Sequence, residues 1–148
     1  MKIVMKVFIV PALAALFISC SSSSGEIEHS DQTFTATTFT KGQSVTLPIA
    51  EYAIHVYMFT TDSTGGSYKI ALTNLGSDCD WILCSYSASA TTLGDLDSLV
   101  LDGTSGTTSN YADPEIGNVT LAADTSYFLE IIEYSSCDSK YTLSITKP

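Results

Sequence analysis

The chain has 148 residues, enough for one ordinary domain, and a formal net charge of −10 at pH 7, with six lysines and no arginine. Nucleic-acid binding depends on basic side chains that neutralise phosphates, so this composition excludes a nucleic-acid partner. An acidic surface can serve solubility or supply oxygen ligands to calcium, and composition does not choose between the two.

The first nineteen residues are predicted to be a secretory signal peptide. Lys2 and Lys6 form a charged region, and the apolar run VFIVPALAALFIS follows it. This run is shorter than the roughly 20 apolar residues that a membrane-spanning helix needs, so a cleaved signal is the better interpretation. Its removal leaves four lysines against sixteen acidic residues, a formal charge of −12.

Cys20 is predicted to be lipidated. Leu16, Phe17, Ile18 and Ser19 precede it and resemble a lipobox, the motif that places a small residue before an acylated cysteine. The alternative is ordinary signal cleavage, with Cys20 free or in a disulfide. Residues 20–32 would form a flexible tether, because Ser21–Gly25 are small and polar.

The N-terminus is similar to those of lipoproteins from bacteria with two membranes. That resemblance implies acyl chains, palmitate among them, and firm attachment, since burial of each CH2 contributes about 0.8 kcal/mol. Ser21 after the lipidated position, in place of Asp, favours the outer membrane. The periplasmic and surface faces both remain open.

From residue 33 to residue 148 the dominant pattern is the period-2 alternation of β-strands. On the segment YAIHVYMFT, Ile54, Val56 and Met58 share one face, and His55, Tyr57 and Phe59 share the other. The Gly- and Asp-rich stretch Thr61–Ser67 predicts a turn. Tyr68, Ile70 and Leu72 are predicted to point inward. Similar alternation predicts further strands around Val45, Leu47 and Ile49, around Trp81 and Leu83, around Val119 and Leu121, around Leu129 and Ile131, and around Tyr141, Leu143 and Ile145. The pattern predicts an all-β, antiparallel sandwich of seven or eight short strands.

Export makes a disulfide plausible among Cys79, Cys84 and Cys137. Cys79 and Cys84 stand five strand steps apart, roughly 16 Å, which exceeds the Cα spacing of about 4.4–6.8 Å in a disulfide. We therefore expect Cys137 to pair with one of them. Cys79 is the predicted partner because it borders a loop, as Cys137 does, and Cys84 is the alternative.

Several segments together resemble the bacterial pre-peptidase C-terminal domain. They are YAIHVYMF, GGSYKIALTN, SDCDWIL and EIGNVTLAADTSYFLEIIEYSSCDSKYTLSI, within Thr33–Lys147. The resemblance implies a jelly-roll-like β-sandwich and a non-catalytic module of the kind usually appended to secreted peptidases, of which some bind calcium and some bind collagen. No peptidase precedes the domain in this sequence, so a binding role would be directed at something outside the chain.

Asp78 and Asp80 are the candidate metal ligands. They flank Cys79 at the start of a strand and would project the same way, and Asp62 or Asp138 from other loops could complete an oxygen-rich calcium site. The alternative is a pair of solvated turn acids that cap loop amides. Asp95, Asp97 and Asp102 lack the Gly and Glu of an EF-hand loop.

No catalytic residues are predicted. The two histidines, His29 and His55, lie in no catalytic motif, and a nucleophile needs a base within hydrogen-bond reach. Glu130 and Glu133 are three residues apart, which places them on opposite faces of a strand, unlike the paired carboxylates of glycosidases.

Aromatic side chains offer a second candidate binding surface. Tyr57, Phe59, Tyr86, Tyr111 and Tyr134 could form a platform for a peptide or sugar, with core packing as the alternative. The sequence as a whole predicts a membrane-tethered, non-catalytic binding module outside the cytoplasm, directed at protein or glycan with possible calcium assistance. An accessory lipoprotein that binds another envelope protein is the alternative, and a small hydrolase using His55 is the third hypothesis.

Overall fold

Strands dominate the computed structural model, which describes residues 30–101, 114–134 and 138–148. A short 3-10 helix, Leu93–Asp95, interrupts them. The strands are β1 (Thr37–Thr38), β2 (Ser44–Ile49), β3 (Ile54–Thr60), β4 (Gly66–Thr73), β5 (Cys79–Ser85), β6 (Ser98–Leu101), β7 (Glu115–Leu121), β8 (Ser126–Glu133) and β9 (Ser139–Thr146).

The strands form two sheets. One has the order β1-β3-β8-β5-β6, and the other has the order β2-β9-β4-β7. The pairs β3–β8, β5–β8, β2–β9, β4–β9 and β4–β7 are antiparallel, whereas β1 runs parallel to β3. The predicted all-β sandwich is confirmed. The described residues contain nine strands where seven or eight were predicted, and β1 is only two residues long.

The main core lies between the two sheets and follows the alternation in the sequence. Trp81, Tyr68 and Tyr141 are its largest fully buried side chains, and Tyr68, Ile70 and Leu72, which were predicted to point inward, are all buried. Burial of a Val, Leu, Ile or Phe side chain contributes about 1.5–3 kcal/mol relative to its exposure, so this core is the main source of stability.

A second apolar cluster covers the outer face of the five-stranded sheet. Val56, Cys84, Leu93 and Phe128 form its buried part, and Phe34 packs against them. The Phe34 and Phe128 rings meet edge to face with centroids 5.5 Å apart. The segment before β1 therefore belongs to the folded domain, because it closes this outer cluster.

The predicted turn between β3 and β4 is confirmed and depends on Gly65. Its φ is +56°, a conformation that glycine adopts without strain, and a Cβ there would meet the backbone of Ala123 at 2.7 Å. This turn packs against the β7–β8 turn, where Asp124 N–H donates to the Asp62 carbonyl oxygen at 2.9 Å.

Several predictions fall outside the described residues. They are the signal peptide 1–19, lipidation of Cys20, most of the tether 20–32, and the roles considered for His29, Asp102, Tyr111 and Cys137. Within the part of the chain that the structure describes, no helix is long and apolar enough to span a membrane.

Candidate functional site

A cleft of about 310 Å³ opens between the segment before β1 and the first half of β3. One wall is the stretch Gln32–Thr37, the other is Ile54–Tyr57, and Leu93 closes one side. Thr33, Thr35 and Thr37 are exposed, so the cleft presents hydroxyl groups to solvent.

The cleft exists because the N-terminal segment departs from β3. β1 pairs with β3 only at Tyr57 and Met58. Before that point the chain turns toward the loop that precedes the 3-10 helix, where Phe34 N–H donates to the Thr91 carbonyl at 3.3 Å. Thr33 forms an isolated antiparallel bridge with Thr92. The chain is thus held away from β3 over the residues before β1.

Four consecutive residues of β3, Ile54–Tyr57, line the cleft. Ile54 and Val56 belong to the outer cluster, whereas Tyr57 belongs to the main core. Successive side chains of a strand point to opposite faces of its sheet. Only a cavity at the edge of the strand can contact residues from both faces, so the cleft lies along the edge of β3.

His55 connects the cleft to the core through a hydrogen-bond chain. Its Nδ1 lies 2.7 Å from the Tyr141 hydroxyl, which lies 2.5 Å from the Tyr57 hydroxyl. Burial lowers the pKa of His55, which favours the neutral imidazole at pH 7. Burial raises the pKa of Tyr141, and its hydrogen bond to Tyr57 raises it further. Burial also raises the pKa of Tyr57, so both hydroxyls stay protonated. These bonds fix the cleft wall.

This arrangement does not favour the hydrolase hypothesis. The Tyr141 hydroxyl bonded to His55 belongs to a fully buried side chain, so it cannot reach a substrate. Glu130 and Glu133 lie on opposite faces of β8, as predicted: Cys84 of the outer cluster donates to Glu130, and Cys79 of the main core donates to Glu133. Neither carboxylate is placed as one of a glycosidase pair.

Acidic residues gather where β3 and β5 begin and β8 ends. We call this region the acidic end and define it by Glu51, Asp78, Asp80, Glu133 and Asp138. Main-chain hydrogen bonds hold its segments together: Glu133 N–H donates to the Ala53 carbonyl at 3.0 Å, and Tyr134 N–H donates to the Asp78 carbonyl at 2.9 Å. The Asp138 carboxylate accepts from Glu51 N–H at 3.3 Å.

Glu133 is fully buried and accepts hydrogen bonds from the Ser77 hydroxyl and from the Cys79 thiol, the latter at 2.9 Å. Burial raises the pKa of Asp78, and the negative charge of Glu133 raises it further. The acidic end therefore brings together carboxylates that repel each other.

The structure places Asp62 apart from Asp78 and Asp80, the candidate calcium ligands whose site it was predicted to complete. Asp62 follows β3 at the opposite end of the sheet, where Lys147 Nζ pairs with it at 3.0 Å. Among the described residues, no group of three or more His, Cys, Asp or Glu side chains is placed to hold a metal ion. Calcium binding by Asp78 and Asp80 stays a prediction. Asp95 instead caps the 3-10 helix by accepting from Thr92 N–H at 2.8 Å.

Cys79 and Cys84 lie on opposite faces of β5, as five strand steps require. Both are buried thiols, and burial raises the pKa of each. Their hydrogen bonds to Glu133 and Glu130 hold them as neutral donors. Cys137 lies outside the described residues, so its pairing with Cys79, or with Cys84 as the alternative, stays a prediction.

The aromatic platform is wrong in part. Tyr57 and Phe59 are 5% and 1% exposed and pack in the main core, which the alternative predicted. Tyr86 and Tyr134 are 45% and 40% exposed. The four of these side chains that the structure describes therefore do not form one surface, and Tyr111 lies outside the described residues.

Sequence analysis missed the wall formed by residues 32–37. The signal was present, because Thr33, Thr35 and Thr37 alternate with Phe34 and Ala36, the pattern of a half-buried strand. Tyr141 was predicted to be a core residue, but its contact with His55 joins distant segments that no local pattern reveals.

Comparisons with known proteins concern the fold. No family model and no curated protein matches the sequence. Among solved structures, the chain is similar to the pre-peptidase C-terminal domain of a collagenase from Bacillus anthracis, at 16% identity and a TM-score of 0.57 over 78% of this chain and 98% of that one. It is also similar to a periplasmic inhibitor of g-type lysozyme from Salmonella Typhimurium, at 16% identity and a TM-score of 0.45 over 76% and 99% of the two chains. The first likeness confirms a fold like that of the pre-peptidase C-terminal domain.

Proposed function

We propose that this protein is a lipid-anchored, non-catalytic binding module of the cell envelope that holds a partner protein in the cleft beside β3. The observation that carries the proposal is the cleft of about 310 Å³ along a strand edge, with exposed threonines on one wall. Ligand sites are typically concave, largely preformed and equipped with a few polar groups. This cleft has those properties.

The site is preformed because both walls are fixed. Phe34 anchors the N-terminal wall in the outer cluster, and the pairing of β1 with Tyr57 and Met58 fixes its far end. The β3 wall is held by seven residue pairs with β8 and by the hydrogen bond between His55 and Tyr141. A rigid cleft binds a partner without the entropic cost of ordering its own walls.

The N-terminal sequence supports a location at a membrane. A signal peptide over residues 1–19, acylation of Cys20 and a tether between Cys20 and the described domain would hold the domain close to a membrane without spanning it. Ser21 favours the outer membrane, on its periplasmic or surface face. Calcium at Asp78 and Asp80 would add a regulatory contact at the acidic end.

A photo-crosslinking amino acid at Thr35, incorporated into the full chain in cells, tests this function. Thr35 is exposed in the cleft, and Thr120, exposed on β7 of the other sheet, is the matched control position. Illumination is expected to join one envelope protein to the Thr35 variant and not to the Thr120 variant. The chain should sediment with membranes, and a Cys20→Ser variant should not.

Two results would contradict the proposal. Identical products from both positions would show that the cleft has no special role, and the absence of any product at Thr35 would leave the cleft without a partner. A Cys20→Ser variant that remained in the membrane fraction would contradict the anchor alone.

A further inference from the structure

We propose that the cleft binds an extended, lysine- or arginine-bearing segment of the partner protein as an added strand on the edge of β3. This inference rests on the proposed function and specifies its ligand. It follows from three features of the described residues: the direction of backbone groups on β3, the length of edge that β1 leaves open, and the charge beyond that edge.

The hydrogen-bond pattern fixes which backbone groups face the cleft. The Ala53 carbonyl accepts from Glu133 N–H on β8, whereas the Met58 carbonyl accepts from Phe39 N–H just after β1. Residues along a strand alternate between its two neighbours in an antiparallel ladder. Odd-numbered residues therefore bond to β8, and the N–H groups of Ile54 and Val56 point away from β8 toward the cleft.

The open edge is long enough for a short added strand. β1 reaches β3 only at Tyr57 and Met58, which leaves Ile54–Val56 beside the cleft. Three residues of strand span about 10 Å. An extended segment between this edge and Thr35 would continue the line of β1, and a row of strand-edge groups selects another extended backbone.

The charge of the acidic end selects a basic segment. Exposed Glu51 lies three residues before Ile54, and its N–H donates to the Asp138 carboxylate, so these two acids lie at the end of β3 that borders the cleft. The whole chain carries a formal charge of −10. A lysine or arginine of the guest would be attracted to this end, whereas an acidic guest would be repelled.

A defined peptide tests strand addition. The probe is a capped seven-residue peptide in which lysine alternates with valine, and its control carries glutamate in place of lysine. The protein is the full-length chain in detergent micelles, labelled with ¹⁵N, at physiological ionic strength. Binding of the lysine peptide is expected to slow hydrogen exchange at the Ile54 and Val56 amides, and the glutamate peptide should bind at least tenfold more weakly.

Two variants of one residue separate backbone pairing from general charge attraction. Ile54→Pro removes an N–H that faces the cleft, and proline is tolerated at the first residue of a strand. Ile54→Val keeps the N–H and the branched side chain. We expect Ile54→Pro to weaken peptide binding at least tenfold relative to Ile54→Val, with melting of both variants monitored to establish that they fold.

Equal affinity of the two folded variants, or unchanged exchange at Ile54 and Val56, would overturn strand addition. These amides are measured in the unaltered chain, so the proposal stays testable if Ile54→Pro fails to fold. A protein crosslinked at Thr35 in the absence of these effects would leave the binding function intact and remove only its strand-addition mechanism. A glycan crosslinked at Thr35 would overturn the peptide ligand.

Discussion

The two ends of the sandwich differ in how their charged side chains are paired. At the end where β3 finishes, Lys147 Nζ pairs with Asp62 at 3.0 Å and also contacts the Thr64 hydroxyl, and Lys41 donates to the Thr60 carbonyl at 3.3 Å. At the acidic end, the charge of Glu133 adds to burial in raising the pKa of Asp78. One end pairs Asp62 with Lys147, and the other brings Asp78 close to the negative charge of Glu133.

The charge pair at one end stabilises the fold, whereas the like charges at the other end oppose folding. Lys147 lowers the pKa of Asp62, so that pair favours the folded chain at neutral pH. The repulsion between Asp78 and Glu133 opposes folding, and a cationic partner would relieve it. The acidic end thus keeps like charges whose repulsion opposes folding.

The largest expected effect is that of Glu133→Ala. This change removes a fully buried side chain and leaves the buried Ser77 hydroxyl without its acceptor. A cavity together with a lost buried acceptor costs about 2–4 kcal/mol, less the relief of repulsion with Asp78. Urea denaturation should show a lower midpoint.

Glu51→Ala is the matched control at the same end. Its side chain is exposed, so its removal should change the free energy of unfolding by less than about 0.5 kcal/mol. If both variants unfold at the same urea concentration, the buried contacts of Glu133 do not contribute to stability.

A smaller change in folding stability is expected when the pH is lowered. The groups responsible, His55 and Asp62, lie at opposite ends of the sandwich. Because burial lowers the pKa of His55 in the folded chain, the unfolded chain binds its proton first, and stability falls as pH drops below the ordinary value of 6.5. The pKa of Asp62 is lowered from 3.8, so the stability from its pair is lost only at still lower pH. Thermal melting between pH 7 and pH 5 should therefore report His55.

His55→Gln should reduce this loss of stability between pH 7 and pH 5, whereas Lys147→Met should retain it. Glutamine does not titrate, and Lys147 lies at the opposite end from His55. The same decline in the His55→Gln and unaltered chains would assign the pH effect to another group.

The sequence predicted the sandwich because alternation is local. Tyr68, Ile70 and Leu72 repeat with period 2, and all three are fully buried. Alternation on β3 showed that Tyr57 and Phe59 share a face. It could not tell which face was the core, because Ile54, Val56 and Met58 make the other face apolar as well and the segment around Phe34 covers it.

The site was less predictable because non-local contacts form it. Three contacts join segments that lie far apart in the chain: the parallel pairing of β1 with β3, the β-bridge between Thr33 and Thr92, and the hydrogen bond between His55 and Tyr141. Local periodicity contains no information about such partners. For the same reason it grouped Asp62 with Asp78, although β3 separates them.

The smallest expected effect is that of Asp78→Asn. This variant tests whether the Asp78 carboxylate opposes folding. The pKa of Asp78 is raised in the folded chain, so its ionised form opposes folding as pH rises above about 3.8. Asp78→Asn should therefore raise the melting temperature slightly at pH 7 in the presence of a chelator, and the gain should vanish in acid. A decrease at pH 7 would show that the carboxylate makes stabilising contacts that outweigh repulsion.

Added calcium extends the same measurement. If Asp78 and Asp80 bind calcium, the ion will raise the melting temperature of the unaltered chain, because a ligand that binds only the folded state stabilises it. The Asp78→Asn, Asp80→Asn double variant should lose that rise. An equal response of both proteins would rule out calcium binding by these carboxylates.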